Sequence, residues 1–233
     1  MSLFHVFTDD NIRQLIEVNS YGKHSVKNEY LINQLSFVAL SLMEHNHLKV
    51  HDLINEKGVA YRKFAVPFEY GTRQPKKDEN QRIIELPERF SSDVEKYLNW
   101  YVEQNIPSEY RHNSNSFKGL SSKAPMLLND EFKAYKLTEA KTPKGIKLQP
   151  NNLRNKVKSL LNNAGLEWAT FSTFSDSLII HLHHQNVNPK EIIKLFNYRS
   201  RETVLSRING NIITLGEAIN KVYARVPVTG HNK

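Results

Sequence analysis

Apolar residues recur along this chain mostly at helical spacing, with one interruption of strand character. Ile12, Leu15 and Ile16 form a first helical face. Thr8 stands before it as an N-cap, and Asp9 and Asp10 put negative charge where the helix dipole favours it. Leu31, Leu35, Val38 and Leu42 continue the pattern, widened by Phe37, Ala39 and Leu40, and predict one broad, buried helix over residues 27–44. The period then changes. VAYRKFAVPF (59–68) and RIIEL (82–86) are rich in β-branched and aromatic residues, and the polar stretch GTRQPKKDENQ lies between them. This reads as a β-hairpin or small meander with a basic tip. A helix follows over 91–104, with Val94, Tyr97, Leu98 and Tyr101 inward, and residues 105–125 read as loop.

The second half is helical again. Leu153, Val157, Leu160, Leu161 and Ala164 line one face of a helix over 150–164, with Pro150 suited to N1 and Gly165 to C′. Further helices are expected over 174–185, 189–196 and 201–208. A last one starts at Thr214, whose capping box with Glu217 precedes the stripe Leu215, Ala218, Ile219 and Val222. No fixed-period repeat interrupts the 233 residues.

Composition narrows the chemistry. The chain has no cysteine, which excludes disulfides, thiolate metal sites and a cysteine nucleophile. Thirty-two basic residues against 24 acidic ones give a net charge of +8, which favours polyanion partners. No apolar run is long enough to span a bilayer, so no membrane partner is expected. The start, MSLFHVFTDD, lacks the form of a secretion signal. A soluble, cytoplasmic protein is the expectation. His181, His183 and His184 cluster, as do His45 and His47, but their spacing does not converge on one metal. No phosphate-binding glycine loop or nucleophile elbow occurs. Neither cofactor nor metal is expected.

The positive charge is concentrated. Residues 136–158 hold seven bases and one acid, Glu139, for a local charge of +6. Within that stretch Asn151, Arg154, Asn155 and Lys158 follow i, i+3, i+4, i+7 spacing and project together from the helix. Asn pairs with adenine and Arg with guanine in the major groove, while Lys neutralises phosphate.

Residues 148–208 resemble the C-terminal catalytic domain of tyrosine recombinases, the phage integrase family. Gly165-Leu166, STFSDSLIIHL (172–182), Asn186-Val187, KLFNYRS (194–200) and Thr203 follow the order of that family's motifs. Upstream, Thr8–Val18 is similar to its opening helix, LSLMEHNHL (40–48) to its GLRISELLAL segment and residues 59–86 to its β-sheet. The resemblance implies an α+β, mainly α, tyrosine-recombinase catalytic-domain-like fold with a small antiparallel β-sheet on one side. It implies a single DNA-binding domain over 1–233, without the family's N-terminal core-binding domain.

Carried over position by position, the family's catalytic arginines, histidines and tyrosine fall on Ser41, Ser172, Ser175, Tyr198 and Arg207, leaving only a hairpin lysine, Lys76 or Lys77. The resemblance thus implies a fold without the chemistry and no catalytic residue. The expected function is a non-catalytic, sequence-specific binder of double-stranded DNA, a repressor or regulator from a phage or mobile element. Its expected DNA contacts are Arg73, Lys76 and Lys77 on the hairpin tip and Lys144 and Lys147 in the basic loop. Asn151, Asn152, Arg154, Asn155 and Lys158 on the following helix, and Arg199, Arg201 and Arg207 beyond it, complete the set. The alternatives are a divergent recombinase, an accessory subunit acting with an active one, or a helical basic protein that binds RNA. The C-terminal helix would mediate a homodimer or a hetero-complex with a recombinase, or else pack in cis on its own core.

Overall fold

The computed structural model describes residues 5–71, 81–143, 145–198 and 200–209. The chain opens with α1 (Asp9–Asn19), started by Thr8, whose Oγ1 accepts from the Asn11 N–H at 3.2 Å. Next comes α2 (Ser25–Phe37), buried on most of its circumference and packed against α1 and two later helices. The single helix expected over 27–44 is broken. Val38 is extended, and Ser41 starts a new helix, α3 (Leu42–His47). The Glu44 N–H donates to Ser41 Oγ at 3.3 Å, and the Ser41 N–H donates to Glu44 Oε2 at 2.7 Å. This capping box satisfies two backbone donors that a continuous helix would have bonded internally. A single turn, α4 (Val50–Leu53), follows.

The hairpin forms as expected. Strands β1 (Lys63–Val66) and β2 (Arg82–Glu85) pair antiparallel, Lys63 opposite Glu85 and Val66 opposite Arg82. Phe64, Val66 and Ile84 face the core. Pro87 precedes α5 (Glu88–Glu103), which begins three residues earlier than expected and buries Phe90, Val94, Tyr97, Leu98 and Tyr101. Irregular chain with two short 3₁₀ turns then covers the loop region.

A second hairpin stands where the sequence reads as a basic loop. Strands β3 (Thr138–Thr142) and β4 (Gly145–Gln149) pair antiparallel and are exposed over most of both faces. With so little apolar alternation on a buried face, the segment carries no strand signal. It leads into α6 (Asn151–Asn163), with Pro150 at the N-cap rather than N1. The end of α6 is as expected: Gly165 lies at φ +67°, its N–H donates to Asn162 O at 3.0 Å, and the Leu166 N–H donates to Leu161 O at 2.9 Å. That paired closure needs a left-handed residue, which glycine adopts without a Cβ clash.

Thr170 caps α7 (Phe171–His184), which therefore starts three residues before Phe174. Asn188 caps α8 (Pro189–Phe196), with Pro189 at N1, and α9 (Arg201–Asn209) completes the described chain. One large core unites α1, α2, α5, α6 and the N-terminal part of α7. A smaller one, Ile179, Ile192 and Val204, joins α7, α8 and α9. The helix expected from Thr214 lies outside the described residues.

Candidate nucleic-acid interface

The β3–β4 ribbon and the first turn of α6 form one structural unit. Asn151 Nδ2 donates to Thr138 Oγ1 at 2.7 Å, and Thr138 Oγ1 donates to Gln149 O at 3.2 Å. Asn151 Oδ1 accepts from Arg154 Nη1 at 2.6 Å. Asn152 Nδ2 reaches the Lys136 carbonyl at 3.2 Å. The base of the ribbon is thus stitched to the helix, and the rest projects.

Around this unit Lys136, Lys141, Lys147, Arg154, Asn155 and Lys158 are exposed. The five cations among them make the exposed surface of ribbon and helix basic, with the neutral Asn155 beside Arg154. Lys156 is on the same helix but turns away. Its ammonium donates to Asp130 at 2.9 Å, and the buried Lys27 donates to the same carboxylate. Burial lowers Lys27 to about 8 against the pull of Asp130. Burial alone would raise Asp130, but the two ammonium hydrogen bonds outweigh it and hold the carboxyl at about 2. This cluster ties α2, α6 and the 130 loop together.

Of the other expected contacts, Arg201 is exposed on the first turn of α9. Arg73, Lys76, Lys77, Lys144 and Arg199 lie outside the described residues. Arg207 turns inward. Its Nε donates to the buried carboxylate of Asp176, Nη1 donates to Thr203 O at 3.3 Å, and its guanidinium lies 5.1 Å from the Tyr198 ring centroid. Burial raises the Asp176 carboxyl, and Arg207 pulls it partly back.

The positions paired with catalytic groups have specific local roles. Ser41 caps α3, and Ser172 Oγ is 2.8 Å from Thr170 Oγ1 on the exposed start of α7. Ser175 is half-buried on the same helix. Tyr198 stacks on Phe196 at 5.8 Å and leans against Arg207.

The sequence reading misses Arg82. Its side chain is 11% exposed and bonds Glu44, itself 8% exposed, at 2.6 Å through Nη2. Nη1 donates to Ala39 O at 2.8 Å and Leu195 O at 2.6 Å. One guanidinium thereby joins β2, the α2–α3 turn, α3 and the end of α8. Beneath it lies His45, fully buried, with Nδ1 2.9 Å from Gln34 Nε2 and its ring edge-on to Phe171. Burial, aided by the Arg82 charge, lowers the imidazole to about 3, so it is neutral. The available signals are Ser41-x-x-Glu44, a capping-box spacing, and a lone arginine opening an apolar strand.

Among the described residues no group of three or more His, Asp or Glu is arranged to hold a metal ion, and no helix is long and apolar enough to cross a membrane.

No protein-family model matches the chain, and no curated protein does. Solved structures do. The crystal structure of XerA recombinase superposes with a TM-score of 0.63 at 12% identity, over 97% of this chain and 68% of that one. The Tn1549 transposon integrase in complex with transposon right-end DNA gives 0.63 at 12%, over 96% and 67%. The XerH site-specific recombinase bound to palindromic difH substrate gives 0.57 at 16%, over 94% of this chain and 53% of that one. The chain has the tyrosine-recombinase catalytic-domain fold, mainly helical with small antiparallel sheets.

Proposed function

We propose that this chain is a non-catalytic, sequence-specific binder of double-stranded DNA built on the recombinase fold, serving as a repressor or regulator of a phage or mobile element. The observation that carries the reading is the use made of Arg82 and Arg207. Phosphodiester activation requires guanidinium groups aimed at phosphate oxygens. Arg82 is committed to Glu44 and two backbone carbonyls, and Arg207 to Asp176 and the Thr203 carbonyl. The serines at 41, 172 and 175 offer neutral hydroxyls of shorter reach, which do not replace a bidentate cation. Binding is supported separately by the basic surface of ribbon and α6, and by the similar structures, which include complexes with DNA. A DNA-binding role fits a cytoplasmic, nucleoid-associated location.

The test divides one incubation between two gels. Labelled duplexes from the protein's genomic neighbourhood are run natively at several salt concentrations and also under denaturing conditions. A specific shift that weakens steeply with salt, with no SDS-resistant adduct, is expected. An adduct overturns the non-catalytic reading. It would favour a divergent recombinase, the second reading, for which the recombinase identity of the similar structures speaks. A stable complex with an active recombinase, with weak DNA binding alone, would identify an accessory subunit.

A further inference from the structure

We propose that the β3–β4 ribbon is the base-reading element of the DNA surface. It enters the major groove on the face formed by Glu139, Lys141, Ile146 and Leu148, while Asn151 fixes the ribbon rather than reading a base. This rests on the DNA-binding reading above.

Register defines the face. Glu139 lies opposite Leu148 and Lys141 opposite Ile146, so these four share one side. Lys147 and Ala140 share the other. Ile146 is 65% exposed and Leu148 48%. Two adjacent aliphatic side chains on a projecting ribbon, inside a stretch of charge +6, call for a partner that is apolar and anionic at once. A DNA groove is such a partner: thymine methyls lie on its floor and phosphates along its walls.

Width selects the groove. Two strands about 4.8 Å apart, with their side chains, fit the major groove of about 12 Å as it stands, whereas the minor groove of about 6 Å would first have to be widened at a cost in DNA deformation. The face also carries the complementary polar groups: a lysine ammonium for guanine O6 and N7, and a carboxylate for the cytosine amino group. Lys136, Arg154 and Lys158, exposed at the ribbon base and along α6, remain for phosphates.

Asn151 is already committed. Reading adenine uses the amide oxygen and nitrogen together; here the nitrogen donates to Thr138 and the oxygen accepts from Arg154, and although each atom keeps one further hydrogen-bonding position, the two bonds orient the amide toward the ribbon base.

A pool of random 20-base-pair duplexes is first selected on the full chain. The preferred duplex is then remade with uracil for thymine, which removes only the major-groove methyls. Wild-type affinity should fall about fourfold for each contacted methyl. The double variant Ile146→Thr, Leu148→Thr keeps β-forming residues and should bind both duplexes alike. Its unchanged low-salt, non-specific binding would report an intact fold. Equal wild-type binding to the thymine and uracil duplexes overturns the inference and leaves DNA binding standing. So does concentration-dependent self-association that the double variant abolishes while its base preference persists, since the face would then seat a second copy. Failure to select or shift any duplex overturns the DNA-binding reading itself.

Discussion

The two hairpins have the same connectivity and opposite surroundings. In β1–β2, Phe64, Val66 and Ile84 alternate inward, and Arg82 at the start of β2 is bonded to three other segments. In β3–β4, neither face is covered, and hydrogen bonds at the base attach the ribbon to α6. A two-stranded hairpin is marginal on its own in water. The first is stabilised by the core beneath it. The second relies on its cross-strand bonds and on Thr138, Gln149 and Asn151. An element that contributes little to the core, yet keeps two aliphatic side chains in water, is suited to meeting a partner.

The difference is sharpest in a stability measurement. Arg82→Ala would leave Glu44 buried without its cation and remove donors from two carbonyls. Breaking such a pair costs about 3–5 kcal/mol, which a urea titration followed by fluorescence would show as a large fall in midpoint. The double variant of Ile146 and Leu148 should stay within about 0.5 kcal/mol per site of wild type, as exposed positions do. Comparable losses from both hairpins would erase the distinction.

A pH titration probes the same buried corner. His45 is held neutral at about 3, far below the ordinary 6.5, because burial and Arg82 oppose its charge. The unfolded chain therefore binds the extra proton first. This contribution is fully present above about 6.5 and is lost as pH falls towards 3, with a slope of up to about 1.4 kcal/mol per pH unit. His24, also lowered by burial and by Lys27, acts in the same direction. His45→Leu should be less stable at pH 7, since Gln34 loses its partner, but should show a shallower slope between pH 6.5 and 5, where most carboxylates remain ionised. An unchanged slope would mean that His45 titrates normally in the fold.

The sequence was most informative where burial and local chemistry agree. Thr8, Gly165 and Pro189 mark their helix ends, and the alternation of Phe64, Val66 and Ile84 marks the first hairpin. It misled where one signal masked another. The apolar run from Leu35 to Leu42 hides the break at Val38 although Ser41 and Glu44 spell a capping box. The exposed ribbon has no buried face, so hydrophobic periodicity does not reveal it. For the interface, the basic character of residues 136–158 was legible. The engagement of Asn151 with Thr138, 13 residues away, depends on a turn that spacing along α6 does not describe. Arg82 has the same origin: its partners are far along the chain, and only folding brings their carbonyls to one guanidinium.

Asn151→Ala removes the bond from the helix to Thr138 and leaves that of Asn152 to the Lys136 carbonyl. Two hydrogen bonds of ordinary strength are lost at a half-buried site, so the stability cost should be about 1 kcal/mol, read as a small shift in a thermal melt. Its effect on DNA should be on discrimination: the selected duplex should lose affinity while non-specific binding at low salt persists. Loss of discrimination at a single adenine alone would instead favour direct reading by Asn151.

The smallest change separates the hairpins by charge alone. Lys147 and Lys63 are both exposed strand lysines, one on each hairpin. Replacing either with Ala should leave stability within about 0.5 kcal/mol. If Lys147 contacts a phosphate, Lys147→Ala should make the plot of log affinity against log salt shallower by about 0.9, the release of one counterion. Lys63 starts β1 on the other hairpin, opposite Glu85, so Lys63→Ala should leave the slope unchanged. Equal changes from both would mean that the protein's overall charge, rather than the ribbon, governs association. A slope altered by Lys63 alone would move the DNA surface to the first hairpin.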